Sequence, residues 1–258
     1  MSYETVSVDI KEHIGIVTLN RPEKYNTFSS QLAEELNDSL LNLDNNEKIR
    51  VIVIKGAGKS FCAGIDVSEF EGKSQREYKE WIELMEKPFQ TIATMKKPVI
   101  ASVHGHAVAN GIGLVAACDL AVVSEDAKLG ATAIDVGLFC MGPAVLMYRT
   151  LGRKRTLEMV LTGEMITGEK AADWGLANRV VPEENLNEET MKIAENLASK
   201  SPIALQTGKR AFYNQEDMMF DNALEYSNEA FAGLCTTKDA TEGVKAFLEN
   251  REPDWKGE

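Results

Sequence analysis

The sequence predicts a mixed α/β core followed by a helical C-terminal part. Three observations carry that expectation. Short apolar runs bounded by turn residues, VIVIKG (51–56), PVIASV (98–103) and DLAVVS (119–124), read as strands buried on both faces. Stretches with apolar residues at helical spacing alternate with them. From about residue 143 the chain reads as mainly helical.

In order, VSVDI (5–9) and IGIVTL (14–19) read as two strands around a turn at Glu12–His13. RPEKYN (21–26) is a polar loop. Ser29 or Ser30 caps a helix near 31–43, where Leu32, Leu36, Leu40 and Leu43 share a face. Residues 76–95 form an amphipathic helix with Trp81, Leu84, Phe89, Ile92 and Met95 on its apolar side. After the loop HGHAVAN, the small residues of GIGLVAAC suit a helix packed closely on a sheet. Ser201-Pro202 reads as an N-cap followed by proline at the first helical position, opening a helix to about 213. Segments 218–235 and 239–249 are helical too. No linker is evident in the 258 residues, which fit one or two domains.

Composition narrows the function classes. The chain has 28 Lys and Arg against 40 Asp and Glu, a net charge of −12. Such a surface repels a phosphate backbone, which argues against a nucleic-acid partner. No apolar run approaches the roughly 20 residues that span a bilayer, which argues against a membrane partner. The opening MSYETVSVDI has no basic stretch followed by an apolar one, so a cytoplasmic location is expected. Cys62, Cys118, Cys140 and Cys235 show no metal-binding spacing, and reduced, mostly buried thiols are expected.

Short motifs taken singly point to little. GAGKS (56–60) resembles the end of a phosphate-binding loop, but Val53 stands where that loop needs glycine. Gly111-Ile-Gly113-Leu-Val-Ala116 fits a dinucleotide fingerprint, yet seven residues separate it from the preceding strand, and close helix packing explains its glycines better. His104 and His106 form an HxH pair with no third ligand, so no metal site is assigned. Asp135 reads as a carboxylate bracing its loop. Glu80, Glu83 and Glu86 line one helix, and Glu83 and Glu86, three apart, share a side.

Three segments together are more specific. LNRPEKYNTF (19–28), SFCAGIDVSEF (60–70) and KKPVIASVHGHAVANGIGLVAACDLAVVSEDAKLG (96–130) resemble the crotonase superfamily, the enoyl-CoA hydratase/isomerase family. LTGEMITGEKAADWGLANRVVP (161–182) and EGVKAFLENREPDW (242–255) extend the likeness over nearly the whole chain. The resemblance implies a crotonase-like spiral of repeated ββα units over 1–200, holding a CoA-thioester site, and a helical trimerisation region over 201–258. It implies an acyl-CoA or enoyl-CoA substrate, coenzyme A being part of the substrate with no separate cofactor, and a homotrimer or homohexamer. The backbone amides of Ile65 and Asn110 would form an oxyanion hole. Lys24 would lie near the CoA nucleotide, with Ala63, Gly64, Asp66 and Gly111 bordering the bound thioester.

The same likeness exposes departures. Hydratases of this family use two glutamates, whose positions here are Gly113 and Ala133, and a third acidic position used by some members falls at Met141. Hydration needs a base for water and an acid for Cα, so ordinary hydratase activity is expected to be weak. Glu86 is the best substitute acid or base, ahead of His106, Asp135 and Cys140. The alternatives are a decarboxylase, a thioester hydrolase, or a binder without chemistry.

Overall fold

The computed structural model describes residues 3–258. Strands β1 (Val6–Lys11) and β2 (Ile14–Leu19) form an antiparallel hairpin, with Glu12 at φ 54° in its turn. Strands β3 (Val51–Gly56), β4 (Val99–Val103), β6 (Leu120–Ser124) and β9 (Arg179–Val181) extend it in parallel, giving the order β1-β2-β3-β4-β6-β9. A second sheet joins β5 (His106–Val108), β7 (Lys128–Gly130) and β8 (Ile166–Thr167) in the order β5-β7-β8. The fold is α/β with a C-terminal run of helices, as expected.

Alternation along the central strands sorts the core into two layers. Ile52 and Ile54, with Val99, Ala101, Val103 and Val123, pack against α1 (Ser30–Asn45), α2 (Gln75–Thr94) and α3 (Asn110–Ala117). Val51, Val53, Ile100 and Val122 face the other way, onto Leu186, Met191, Ala194 and Ala198 of α6 (Glu183–Ala198). Covered on both faces, these strands carry no polar alternation.

Capping chemistry sets the helix starts. Ser29 accepts from the Leu32 amide at the head of α1 (3.1 Å). Ser74 and Glu77 form a reciprocal capping box at the head of α2. Helix α4 (Met141–Thr162) is broken at Gly152, and α5 spans Gly168–Trp174. Ser201 caps α7 (Pro202–Gln215), and α8 (Phe220–Cys235) and α9 (Lys238–Glu249) follow. Asp119 fastens α7 to the core: it accepts from the Val99 amide (2.7 Å), Lys209 Nζ (2.7 Å) and Tyr213 OH (2.9 Å).

The segment after 143 is mainly helical, as expected, with two short strands added: ANRVV supplies β9, the edge of the main sheet, and MIT supplies β8. Both are too short for a periodicity signal and exist only through pairing. HGHAVAN supplies a further short strand of this kind: His106–Val108 pairs with Lys128–Gly130.

Candidate active site

Two backbone segments run side by side at the centre of the site. Cys62 and Ala107 form a parallel bridge. The Cys62 amide donates to the His106 carbonyl (2.9 Å), and the Val108 amide donates to the Cys62 carbonyl (3.0 Å). Three residues beyond each bridged residue lie Ile65 and Asn110. On its far side the first segment meets Phe28, whose amide donates to Gly64 (2.7 Å) and whose carbonyl accepts from Asp66 (2.7 Å). Ile65, between them, turns its N–H away from Phe28, where no acceptor meets it among the described residues. Asn110 opens α3, so its N–H has no intrahelical acceptor.

The close approach of these segments depends on Gly111. A Cβ there would come within 2.1 Å of the Cys62 carbonyl oxygen. Ala109, just before Asn110, is held at φ 49° and ψ −112°, a strained conformation for a residue with a Cβ. Its amide and carbonyl are both engaged, with Gly130 (2.9 Å) and the Gly113 amide (3.1 Å), and these bonds hold the strain in place.

Lys24 is exposed on the short 3-10 turn Pro22–Lys24, and this turn is tied to the site because the Ala63 amide donates to the Tyr25 carbonyl (3.0 Å). Asp66 is buried and accepts from Ser68 Oγ (2.6 Å), the Ser68 amide (3.1 Å) and Arg21 Nη2 (2.8 Å). The Ser68 hydroxyl, with Arg21 adding to it, holds the Asp66 carboxyl below its ordinary range. Glu69 is equally engaged, accepting from the Ser30 amide (3.0 Å), Ser30 Oγ (2.6 Å) and Trp81 Nε1 (3.3 Å).

Glu86 is different. Its neighbours on α2 are exposed and paired, Glu80 with Arg76 (2.8 Å) and Glu83 with Lys79 (2.9 Å). Glu86 is half-buried, and no donor meets its carboxylate among the described residues. Burial, with the nearby charge of Glu83, raises its pKa. The side Glu83 and Glu86 were expected to share is thus divided between solvent and interior. The Glu86 carboxylate lies against Gly142 in the first turn of α4, where a Cβ would fall 1.8 Å from Oε1. Gly113 meets the same turn: its Cβ would lie 3.2 Å from the Pro143 side chain. Ala133 lies on the 3-10 turn Thr132–Val136, which packs against α4.

The weaker candidates fall away. His106 and Asp135 are exposed, and His104 Nε2 lies 2.9 Å from the Gly58 carbonyl. Burial pushes the Cys140 thiol up and the Cys62 thiol up to about 12, so both stay protonated. Cys235 is exposed, and all four cysteines are free. Among the described residues no helix is long and apolar enough to cross a membrane.

Gly142 and Arg21 escaped the sequence reading. The only signal for Gly142 is a glycine next to Pro143 at a helix start, and Arg21 stands in RPEKYN, where Lys24 drew the attention. The cavities lie elsewhere, one of about 380 Å³ between α7 and α8 lined by Ile203, Arg210 and Glu229.

Comparison with known proteins shows the family. Residues 9–258 match the family model described as Enoyl-CoA hydratase/isomerase. The chain belongs to that family. It is similar to enoyl-CoA hydratase domain-containing protein 3, mitochondrial, of Rattus norvegicus, 36% identical over 95% of this chain and 82% of the relative. Among solved structures, the human enoyl coenzyme A hydratase domain-containing protein 3 superposes with a TM-score of 0.95 at 35% identity, covering 98% of this chain and 100% of that one. An enoyl-CoA hydratase of Mycobacterium smegmatis superposes with a TM-score of 0.95 at 36% identity, covering 98% and 99%.

Proposed function

We propose that the chain binds an acyl-CoA thioester with its carbonyl oxygen between the N–H groups of Ile65 and Asn110, and stabilises the enolate formed there. The observation that carries this reading is the matched register of the two segments, each ending in an amide without a protein acceptor. Charge grows on the thioester oxygen as Cα loses its proton. Donors already in place at that oxygen stabilise the transition state more than the ground state. The N-terminus of α3 adds its dipole at Asn110. Ala63, Gly64, Asp66 and Gly111 wall the thioester, and Lys24 meets the CoA phosphates, a local cation on a chain of net charge −12.

Gly113 and Ala133 hold no carboxyl, so water addition is slow at this site. That same lack favours a second reading, a binder of acyl-CoA that does no chemistry. The assembly is a homotrimer or homohexamer. Exposed apolar residues on the C-terminal helices, among them Phe212, Phe220, Phe231 and Phe247, supply the surface for it. The location is cytoplasmic, and four free thiols fit a reducing compartment.

Calorimetric titration with butyryl-CoA and with free CoA tests the reading. The thioester binds more tightly than CoA if the amide pair holds its carbonyl. Equal affinities, or no binding of either, overturn it.

A further inference from the structure

A glycine in the first turn of α4 meets one half-buried acid. Asn110 opens α3, and Gly113 lies one helical turn further along, its Cα side facing Pro143. The adjacent residue of α4, Gly142, has no Cβ, and the space a Cβ would fill is taken by Glu86 Oε1. Ala133 lies on the 3-10 turn Thr132–Val136, which packs against α4. Glu86 therefore comes from a different helix, α2, to the turn that Gly113 meets. Of the four glutamates of α2, Glu80 and Glu83 pair with cations and Glu77 accepts from Ser74, while Glu86 has no such partner among the described residues. An acid kept without a partner is free to exchange a proton with a ligand.

We propose that Glu86, seated in the gap left by Gly142, carries the proton to and from the carbon next to the thioester. This rests on the placement of the thioester carbonyl at Ile65 and Asn110. The step balances within the site. The Cα–H bond breaks, its electron pair forms the enolate double bond, and the carbonyl π pair moves onto the oxygen between the two amides. The proton passes to the Glu86 carboxylate. Its return to Cα restores the thioester. When the substrate carries a β,γ double bond, return to Cγ moves that bond into conjugation. A single carboxyl completes both halves, and no water is added. Hydration would need a second group to activate water, and Gly113 and Ala133 supply none.

The barrier to a second group is physical as well. A Cβ at position 113 would lie 3.2 Å from the Pro143 ring, so a larger side chain there needs that ring to give by a few tenths of an ångström.

The test follows deuterium uptake from D₂O into butyryl-CoA by mass spectrometry, with calorimetric affinities measured in parallel. The proteins are wild type, Glu86→Gln and Gly142→Ala. Wild type incorporates deuterium at Cα. Glu86→Gln loses about 100-fold or more of that rate, the span of a lost general acid–base group, with affinity within about twofold. Gly142→Ala also loses exchange, because its methyl group displaces the carboxylate while leaving it present. Exchange in Glu86→Gln within about threefold of wild type overturns the proposal, even if binding is intact. Tight binding by wild type with no exchange overturns it too and leaves the binder. Failure of wild type to bind any thioester strikes the placement of the carbonyl instead.

Discussion

Asp66 heads a short 3-10 turn and Glu86 lies on α2, and the surroundings of these two carboxylates differ in kind. Asp66 accepts three hydrogen bonds, one of them from the mostly buried guanidinium of Arg21. Glu86 accepts none among the described residues and sits in a gap between helices. Partners hold the first in its charged form, and burial pushes the second towards its neutral form. The acid tied into the fold by partners is thus separate from the acid left without them. The sharpest way to break this division is to remove each group in turn.

The largest effect is expected where the two backbone segments of the site meet. Gly111→Ala drives a methyl group into the Cys62 carbonyl, and relief requires moving α3 off the 62–66 segment. A loss of roughly 3 kcal/mol in urea unfolding, with loss of thioester binding, is the expected outcome. An unchanged midpoint would show that the segments are not in contact.

Asp66→Asn comes next. It leaves Arg21 with no anion, and a loss of about 2 kcal/mol is expected. The pH dependence follows from linkage. Asp66 binds its proton more weakly in the folded state than in the unfolded one. Its contribution is therefore full above the ordinary aspartate range and is lost as pH falls through its lowered folded value. The variant's acid unfolding curve should be flatter than that of wild type in this window.

Glu86→Gln should shift stability in the opposite direction. The folded state binds this proton more tightly than the unfolded one, so the charged group costs stability above its raised value and costs nothing below the ordinary glutamate range. The variant is expected to be more stable at neutral pH by no more than ~1 kcal/mol, since solvent still reaches the group. The gain should disappear on acidification. A destabilised variant at pH 7 would mean that Glu86 has a structural partner.

The smallest effect concerns the strain between the two acids. Ala109→Gly allows φ 49° without a Cβ and should raise stability by about 0.5 kcal/mol, the relief being offset by a more flexible unfolded chain. Thermal unfolding of the apo protein checks it.

Long apolar runs such as VIVIKG and PVIASV were legible in the sequence because both faces of those strands are buried. Ser29 and Ser201 were legible as caps because their hydroxyls do a local task. β5, β8 and β9 were not, since three or fewer residues gain strand geometry only from distant partners. In the site, Ile65 and Asn110 could be singled out by likeness to a family, but their unpaired amides belong to the backbone and leave no trace in residue type. Glu86 could be singled out among the helix glutamates by the same likeness, but its burial and its seat against Gly142, 56 residues further along the chain, exist only in the fold.

The two-sided burial of the central sheet also sets an order for synthesis. β1 to β4, α1 and α2 lie within the first 103 residues, so one face can be covered early. The other face waits for α6, which ends at Ala198. Until the ribosome has released that helix, Val51, Val53 and Ile100 remain open to water on a nearly finished sheet. At about 5–20 residues per second that interval lasts several seconds, far longer than hydrophobic collapse. The nascent chain thus passes through a sticky intermediate, and a chaperone that shields a flat apolar sheet has its opportunity there.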